Sequence, residues 1–392
     1  MPDNPFVPSF GVSPAYLAGR EDALSAIERV SLTFARTDYS RACLIVGSRG
    51  IGKTVLLNEI EDRAEALNWR MVKVTATKGF LDRMVSEQLR GLLAELRPTR
   101  NTKAAASIGI NAGLIAGKSS IEKTTVSSTV EGLREHIYAI SAAAPTEGLL
   151  FTIDEVNSRA RDELEEFAAV YQHAIRDGLK VALVMCGIPA SLGVLLNKDN
   201  GAVTFLNRAR RIDIGLLDFP TAKTAFAETI KTRGTRTASN DVIDQMAALS
   251  KGYPFLVQEI GNKAWDVNPD SNEISLDDLR TVAAEAIAAM NNSVLRPIVA
   301  SLSVKLREIL SVIASNPGIR HAELSQQLGL ATSALSGPLQ RLIETGTVIR
   351  AERGVVRIAI PYLEQYLQTQ EEPHSRTPSQ LDVLDTYPEP QL

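Results

Sequence analysis

The stretch Gly47–Ile60, GSRGIGKTVLLNEI, decides the fold. Its first eight residues match the pattern GxxxxGK[ST] without a mismatch, and each residue type has a physical reason. The glycines let the backbone curl so that successive N–H groups point inward, a concave nest for phosphate oxygens. A helix starting near Thr54 adds the positive end of its dipole. Lys53 is placed to reach the outer phosphates, and the Thr54 hydroxyl to ligate Mg²⁺. The expected nucleotide-binding set is therefore Gly47, Ser48, Arg49, Gly50, Ile51, Gly52, Lys53, Thr54 and Val55, with ATP and Mg²⁺ as cofactors. RACLIVG before the loop reads as a buried strand; Val55, Leu56, Ile60 and Ala64 after it recur at helical spacing.

Outward from the loop, strands and helices alternate. RMVKVTA, Gly148–Ile153 (GLLFTI), VALVMCG and RRIDIG read as further strands, with FLDRMVSEQLRGLLAEL and ELEEFAAVYQHAIRDG as helices between them. That alternation predicts an α/β fold, a parallel P-loop sheet covered on both faces. One region, near 104–124, departs from it: AAASIGINAGLIAGKSSIEKTT carries Gly109, Gly113 and Gly117 four apart and is expected to be an inserted β-hairpin or surface loop. Beyond residue 217 the pattern turns to helices only. From Thr369 onward the chain is polar and proline-rich, and a disordered tail is expected. The expected units are an N-terminal arm (1–17), a nucleotide-binding core (18–216), a helical lid (217–297), a C-terminal unit (298–368) and the tail (369–392).

Composition bounds the function. The 392 residues are 44% hydrophobic and 22% charged with a net charge of −4, so a nucleic-acid surface would have to be local. No apolar run reaches the ~18 residues of a membrane span, and the N-terminus lacks the basic and apolar blocks of a signal peptide, so a cytoplasmic protein is expected. Cys43 and Cys186 sit in strand-like runs and read as buried free thiols. The four histidines have no partner at metal-ligand spacing.

Hydrolysis of a bound nucleotide needs a carboxylate at the end of a second strand. LLFTIDE supplies Asp154, suited to holding Mg²⁺ with Thr54, and Glu155, suited to orienting or deprotonating the attacking water. Strand, Gly-rich loop, helix, then strand and DE is a far more specific signal than either half alone.

In that order the motifs resemble those of the AAA+ and STAND-type P-loop ATPases, in the branch of origin-recognition and archaeal-type ATPases. The resemblance runs from about Leu17 to Leu367 through Ala18-Gly19-Arg20-Glu21, GSRGIGKT, FTIDE, VMCGIP, FLNRARR and SKGYP. It implies the AAA+ type of core with an all-α lid, Arg20 near the adenine, and Pro254 packing the lid against the base. It further implies that Arg208, with Arg210 and Arg211 as competitors, reaches a neighbouring subunit's γ-phosphate, so a homo-oligomer would form on nucleotide binding. Where many members carry a polar sensor, this chain has Cys186-Gly187, and its lid has Gly-Tyr-Pro where many use an arginine. Both departures imply slow turnover.

Residues 303–367 carry a separate signal. KLREILSVIASN, HAELSQQLG and ATSALSGPLQRLIETG read as three helices and TVIRAERGVVRIAIP as a hairpin turning at Glu352-Arg353-Gly354, which resembles a winged helix-turn-helix. Leu335, Leu339 and Leu342 share one face of the third helix, leaving a polar face for a DNA major groove. Ser333, Ser336, Gln340, Arg341 and Arg353 are the expected contacts to double-stranded DNA. Between 301 and 362 seven basic residues face four acidic ones. Pro338 is expected near the third helix's first turn, where a missing N–H is tolerated. The unit serves equally as a protein contact. The readings left open are a slowly hydrolysing DNA-coupled switch, a non-hydrolysing transcription regulator, and a protein-assembly ATPase in defence or mobile-element handling.

Overall fold

The computed structural model describes residues 4–32, 41–96, 118–189, 208–232, 234–351 and 354–371 of the chain. Five strands form one sheet: β1 (Ala42–Val46), β2 (Trp69–Thr75), β3 (Gly148–Asp154), β4 (Val181–Gly187) and β5 (Arg210–Asp213). Their order is β2-β3-β4-β1-β5, and every neighbouring pair is parallel. All residues of β1 and β4 are buried, without the alternation of a one-sided sheet, because helices cover both faces. On one face Leu44, Phe151 and Leu183 meet Phe167 and Tyr171 of the helix Arg161–Arg176. On the other, Ile45, Leu150 and Val184 meet Leu56, Leu57 and Ile60 of the helix Lys53–Ala66 and Leu24 and Ile27 of the helix Glu21–Ile27. This is the α/β fold, a parallel sheet covered on both faces, that the sequence predicts. A single strand, β4, separates the phosphate-loop strand β1 from β3, so the ends of all three converge.

The expected hairpin or loop near 104–124 requires a correction. Lys118 opens a 26-residue helix, Lys118–Ala143, so 118–124 is helical; 104–117 lies outside the described residues. Leu133, Ile137 and Ile140 recur at helical spacing and are buried in the core on one side of the sheet, and the helix that they anchor extends back into the segment read as insertion. The run Phe80–Leu96 is helical as expected, but its middle, Met84–Leu89, is wound as a π-helix.

Beyond the sheet come four helices, Phe219–Lys231, Asn240–Ser250, Pro254–Asp266 and Leu276–Met290. Three start on side-chain caps: Asp218 accepts from the Thr221 N–H at 2.8 Å, Ser239 from Val242, and Ser275 forms a capping box with Asp278. The "helices only" expectation misses two short strands, Thr237–Ala238 and Glu273–Ile274, which pair in parallel and tie two interhelical connections together.

The C-terminal unit has helices Val304–Ser315, His321–Gln327 and Thr332–Glu344, then Val348–Arg350 paired antiparallel with Val356–Ile358. Pro338 is in the interior of the third helix, not near its start. Burial of Leu335 before the proline and of Leu339 and Leu342 after it, all on one face, holds the helix through the missing hydrogen bond. A further helix, Leu363–Glu371, packs on Val304–Ser315, with Gln368 Nε2 donating to the Ala314 carbonyl at 3.1 Å. Thr369 to Glu371 are thus helical rather than tail, and 372–392 lies outside the described residues. This unit and the four-helix group share one continuous apolar core. No helix among the described residues is long and apolar enough to cross a membrane.

Candidate nucleotide site

The loop between β1 and the helix Lys53–Ala66 curls through Gly50 at φ 72° and Gly52 at φ 93°, backbone that side-chain-bearing residues rarely adopt. Residues 49–55 line a cavity of about 550 Å³ at the carboxyl ends of the strands, within the size range of small-molecule sites. Gly47 and Ser48 are not among its lining residues. The Lys53 ammonium curls back over the loop, donating to the carbonyls of Ser48 at 2.7 Å and Gly47 at 3.1 Å. Burial lowers its pKa, an effect that the Asp154 carboxylate opposes.

Across the cavity floor, Thr54 Oγ1 donates to Asp154 Oδ2 at 2.7 Å, joining the two residues expected to hold Mg²⁺. Among the described residues no cluster of three His, Cys, Asp or Glu side chains exists to hold a metal alone. Two hard oxygen donors fit Mg²⁺, which keeps several waters and takes its other ligands from phosphates. The other carboxylate oxygen, Oδ1, accepts from Cys186 Sγ at 2.7 Å and from the Glu155 N–H at 2.6 Å. Burial raises the Cys186 thiol pKa well above its ordinary value, so the thiol stays protonated and remains a donor. Both cysteines are buried thiols, and neither forms a disulfide among the described residues. Two residues before Asp154 on the same face of β3, Thr152 Oγ1 donates to Glu61, seven residues beyond Thr54 on the facing helix. Glu61 is itself paired with Lys73 at 2.7 Å. A polar seam thus sets the register of Thr54 against Asp154.

The walls come from two further elements. At the corner before the helix Pro254–Asp266, the buried Tyr253 hydroxyl donates to the Arg49 carbonyl in the loop, and Pro254 lines the cavity. The same corner is bound to the start of the helical group by Leu217 N–H donating to the Gly252 carbonyl at 2.8 Å. The second wall is the N-terminal arm. Phe6 is 1% exposed in the helical group's core; Asn4 Nδ2 donates to the Asn262 carbonyl at 3.0 Å, and Asn262 Nδ2 returns a bond to the Phe6 carbonyl at 3.1 Å. The Val7 N–H donates to Gln258 Oε1 at 3.0 Å, and the Phe10 ring stacks on Phe255 at 5.4 Å. The arm then crosses to the core, where Asn58 Nδ2 donates to the Gly11 carbonyl at 2.8 Å.

The structure therefore gathers Arg49 to Val55, Arg20, Asp154, Glu155 and Pro254 around one cavity. Arg20 is 7% exposed and donates to the carbonyls of Ile51 at 3.2 Å and Gly215 at 2.8 Å, bracing the loop from below. Arg208 is exposed ahead of β5 and does not line the cavity; Arg211 is engaged with Asp213 at 2.8 Å. Ser333, Ser336, Gln340 and Arg341 are exposed on the C-terminal unit, and Gln340 bonds Glu344 and Arg350. Arg353, like Glu352, lies outside the described residues. Sequence reasoning missed the arm's place at the cavity, Glu61, Thr152, the Cys186–Asp154 bond and Asn157. Only Thr152, a lone polar residue in an apolar strand, carried a visible signal.

Residues 292–367 match a family described as a domain of unknown function (DUF8462). No curated protein matches the chain. Among solved structures it is similar to Cdc6p from Pyrobaculum aerophilum, at 17% identity and TM-score 0.48, over 92% of this chain and 96% of that one. It is also similar to the Aeropyrum pernix ORC2 protein in its ADPNP–ADP complexes (15%, TM-score 0.45, 93% and 97%). A third is the RuvB Holliday junction branch migration motor of Thermotoga maritima (15%, TM-score 0.42, 90% and 95%).

Proposed function

We propose that the protein is an AAA+/STAND-like ATPase that works as a nucleotide-driven switch, hydrolysing ATP slowly and engaging double-stranded DNA through its C-terminal unit as a winged helix. One observation carries this reading: the C-terminal unit abuts the phosphate loop itself. The turn after the helix Thr332–Glu344 passes so close that a Cβ on Gly346 would lie 3.0 Å from the Ser48 Cβ. The same unit holds the lid corner, because the Tyr362 hydroxyl donates to the Leu249 carbonyl at 2.7 Å and Lys251 sits 4.1 Å from the Tyr362 ring centre. A ligand shifts a conformation only through differential affinity, and here both routes from the unit end on residues 48 and 49.

In the reaction, a water oxygen bonds the γ-phosphorus as the bond to the β–γ bridging oxygen breaks, leaving ADP and inorganic phosphate. Glu155 accepts the water's proton, and Lys53 holds the outer phosphates. Thr54 and Asp154 would hold Mg²⁺, which when bound would neutralise charge on the phosphate oxygens. Cys186 spends its one donor on Asp154, which leaves no polar group at the end of β4 to orient the water, and turnover is slow. Arg208, exposed and outside its own cavity, suits the site of an adjacent copy in a homo-oligomer. For DNA, Lys305, Arg307, Arg320, Arg341 and Arg357 are exposed and form no ion pair among the described residues, which leaves them available to phosphates. The engaged Gln340 amide and the exposed Ile349 favour a second use of the unit, as a protein contact.

The deciding experiment is ATP turnover by the wild type and Glu155→Gln, each with and without duplex DNA. Slow turnover that duplex alters and Glu155→Gln abolishes supports the proposal. Tight ATP binding without turnover leaves a nucleotide-gated regulator, and turnover indifferent to DNA leaves a protein-assembly ATPase.

A further inference from the structure

Among the described residues other than glycine, five have positive φ, and only one of them lines the nucleotide cavity: Glu155, at φ 53°. A long carboxylate side chain is an uncommon occupant of left-handed backbone, which favours glycine, asparagine and aspartate. Such strain persists only where neighbours over-determine it, and here the neighbours can be named. The Glu155 N–H is held by Asp154 Oδ1 at 2.6 Å. Its carbonyl accepts from Asn157 Nδ2 at 2.7 Å, and the same nitrogen donates to the Ala76 carbonyl, at the end of β2, at 3.1 Å. Asn157 Oδ1 accepts from the Arg159 N–H at 3.0 Å. Both ends of the amide are thus engaged. A flipped amide would set its oxygen against two carbonyls and its nitrogen against an N–H, so the bonding fixes the orientation.

We infer that Asn157 is a positioning residue that holds the Glu155 peptide in its left-handed conformation and so places the Glu155 carboxylate at the cavity. This rests on the reading of Glu155 as the proton acceptor. Ala76 caps the neighbouring strand and its N–H donates to the Asp154 carbonyl at 2.9 Å; the bridge therefore references Glu155 to two strand ends at once. An aspartate at 157 has nearly the same shape but no donor for the two carbonyls, and an alanine has neither donor nor acceptor.

The test compares the wild type, Glu155→Gln, Asn157→Asp and Asn157→Ala for turnover and for affinity toward a fluorescent ATP analogue. Melting temperatures of Glu155→Gly and Glu155→Ala, each with and without Asn157→Ala, complete it. Both Asn157 variants are expected to lose kcat by roughly tenfold to a hundredfold, the scale of a misplaced catalytic group, with analogue affinity unchanged. Glu155→Gly is expected to melt above Glu155→Ala, since glycine tolerates positive φ, and Asn157→Ala should shrink that gap. Full kcat in both Asn157 variants beside an inactive Glu155→Gln overturns this inference alone. So do equal losses of kcat and analogue affinity, the signature of a merely structural asparagine, or a melting gap indifferent to residue 157. If Glu155→Gln turns over at the wild-type rate, the proton-acceptor reading fails first and takes this placement with it.

Discussion

Truncating Phe6 to alanine tests whether the N-terminal arm belongs to the nucleotide site or merely rests beside it. Phe6 is buried in the helical group's core, with its ring 6.0 Å from that of Phe226. Its removal from a rigid pocket would cost about 3–5 kcal/mol. Besides the Phe10–Phe255 stack, the arm is tied to that group by three hydrogen bonds, through Asn4, Asn262 and Val7, each contributing about 1 kcal/mol net. The ring therefore contributes as much to docking as the three bonds together. Because the arm is a segment that can peel away without unfolding the core, the loss should appear as arm release, favoured by roughly a hundredfold to a thousandfold at 1.4 kcal/mol per decade. An undocked arm removes the wall built by residues 7–12, 14 and 16–18, so apparent nucleotide affinity should fall with the docked fraction. The assay pairs titration of a fluorescent ATP analogue with chymotrypsin cleavage at Phe10 and Tyr16. Faster cleavage with unchanged analogue affinity would refute the idea that the arm forms part of the site.

Three other substitutions probe separate links. Thr152→Val removes the donor to buried Glu61 at a cost of about 1–3 kcal/mol; it should raise the Mg²⁺ concentration needed to tighten nucleotide binding while leaving affinity in EDTA unchanged, as titration in both conditions would show. Gly346→Val places a β-branched residue at φ 71° against Ser48, a strain of about 1–3 kcal/mol; duplex affinity measured with ATP and with ADP should then become the same. Arg341→Ala and Arg357→Ala should each weaken duplex binding about equally across sequences and reduce the salt slope by about one, read from fluorescence anisotropy at several salt concentrations.

Much of the site was legible in the sequence because two periodicities and one motif overlap there. The loop pattern fixes a backbone shape, and apolar runs ending in polar residues fix where the strands stop, so Thr54 and Asp154 could be paired from the order of motifs alone. What stayed hidden was long-range and carried by unremarkable residues. Phe6, 255 residues before Gly261 in the chain, fits only because a glycine leaves room for its ring. Asn157 resembles any loop asparagine until the carbonyls of Ala76 and Glu155 are seen on either side of it. Cys186 looked like the loss of a polar sensor, yet its thiol has a partner, since β4 lies between β1 and β3 and its end faces Asp154. Pro338 was misplaced for the opposite reason: a local rule about helix interiors gave way to burial of three leucines around it.

In the proposed switch, a triphosphate would act on the C-terminal unit through Lys53. Lys53 holds the carbonyls of Gly47 and Ser48, and Ser48 is the residue that faces Gly346. An outer phosphate competes for that ammonium and offers a full charge in exchange for two neutral acceptors, the stronger kind of bond. Drawing Lys53 toward the phosphate frees the Ser48 carbonyl at the point where the C-terminal unit touches the loop. ADP, lacking the γ-phosphate, competes less. The proposed switch thus needs no long relay: Lys53, the residue proposed to meet the outer phosphate, and Ser48, which faces the unit, are joined by one hydrogen bond of 2.7 Å.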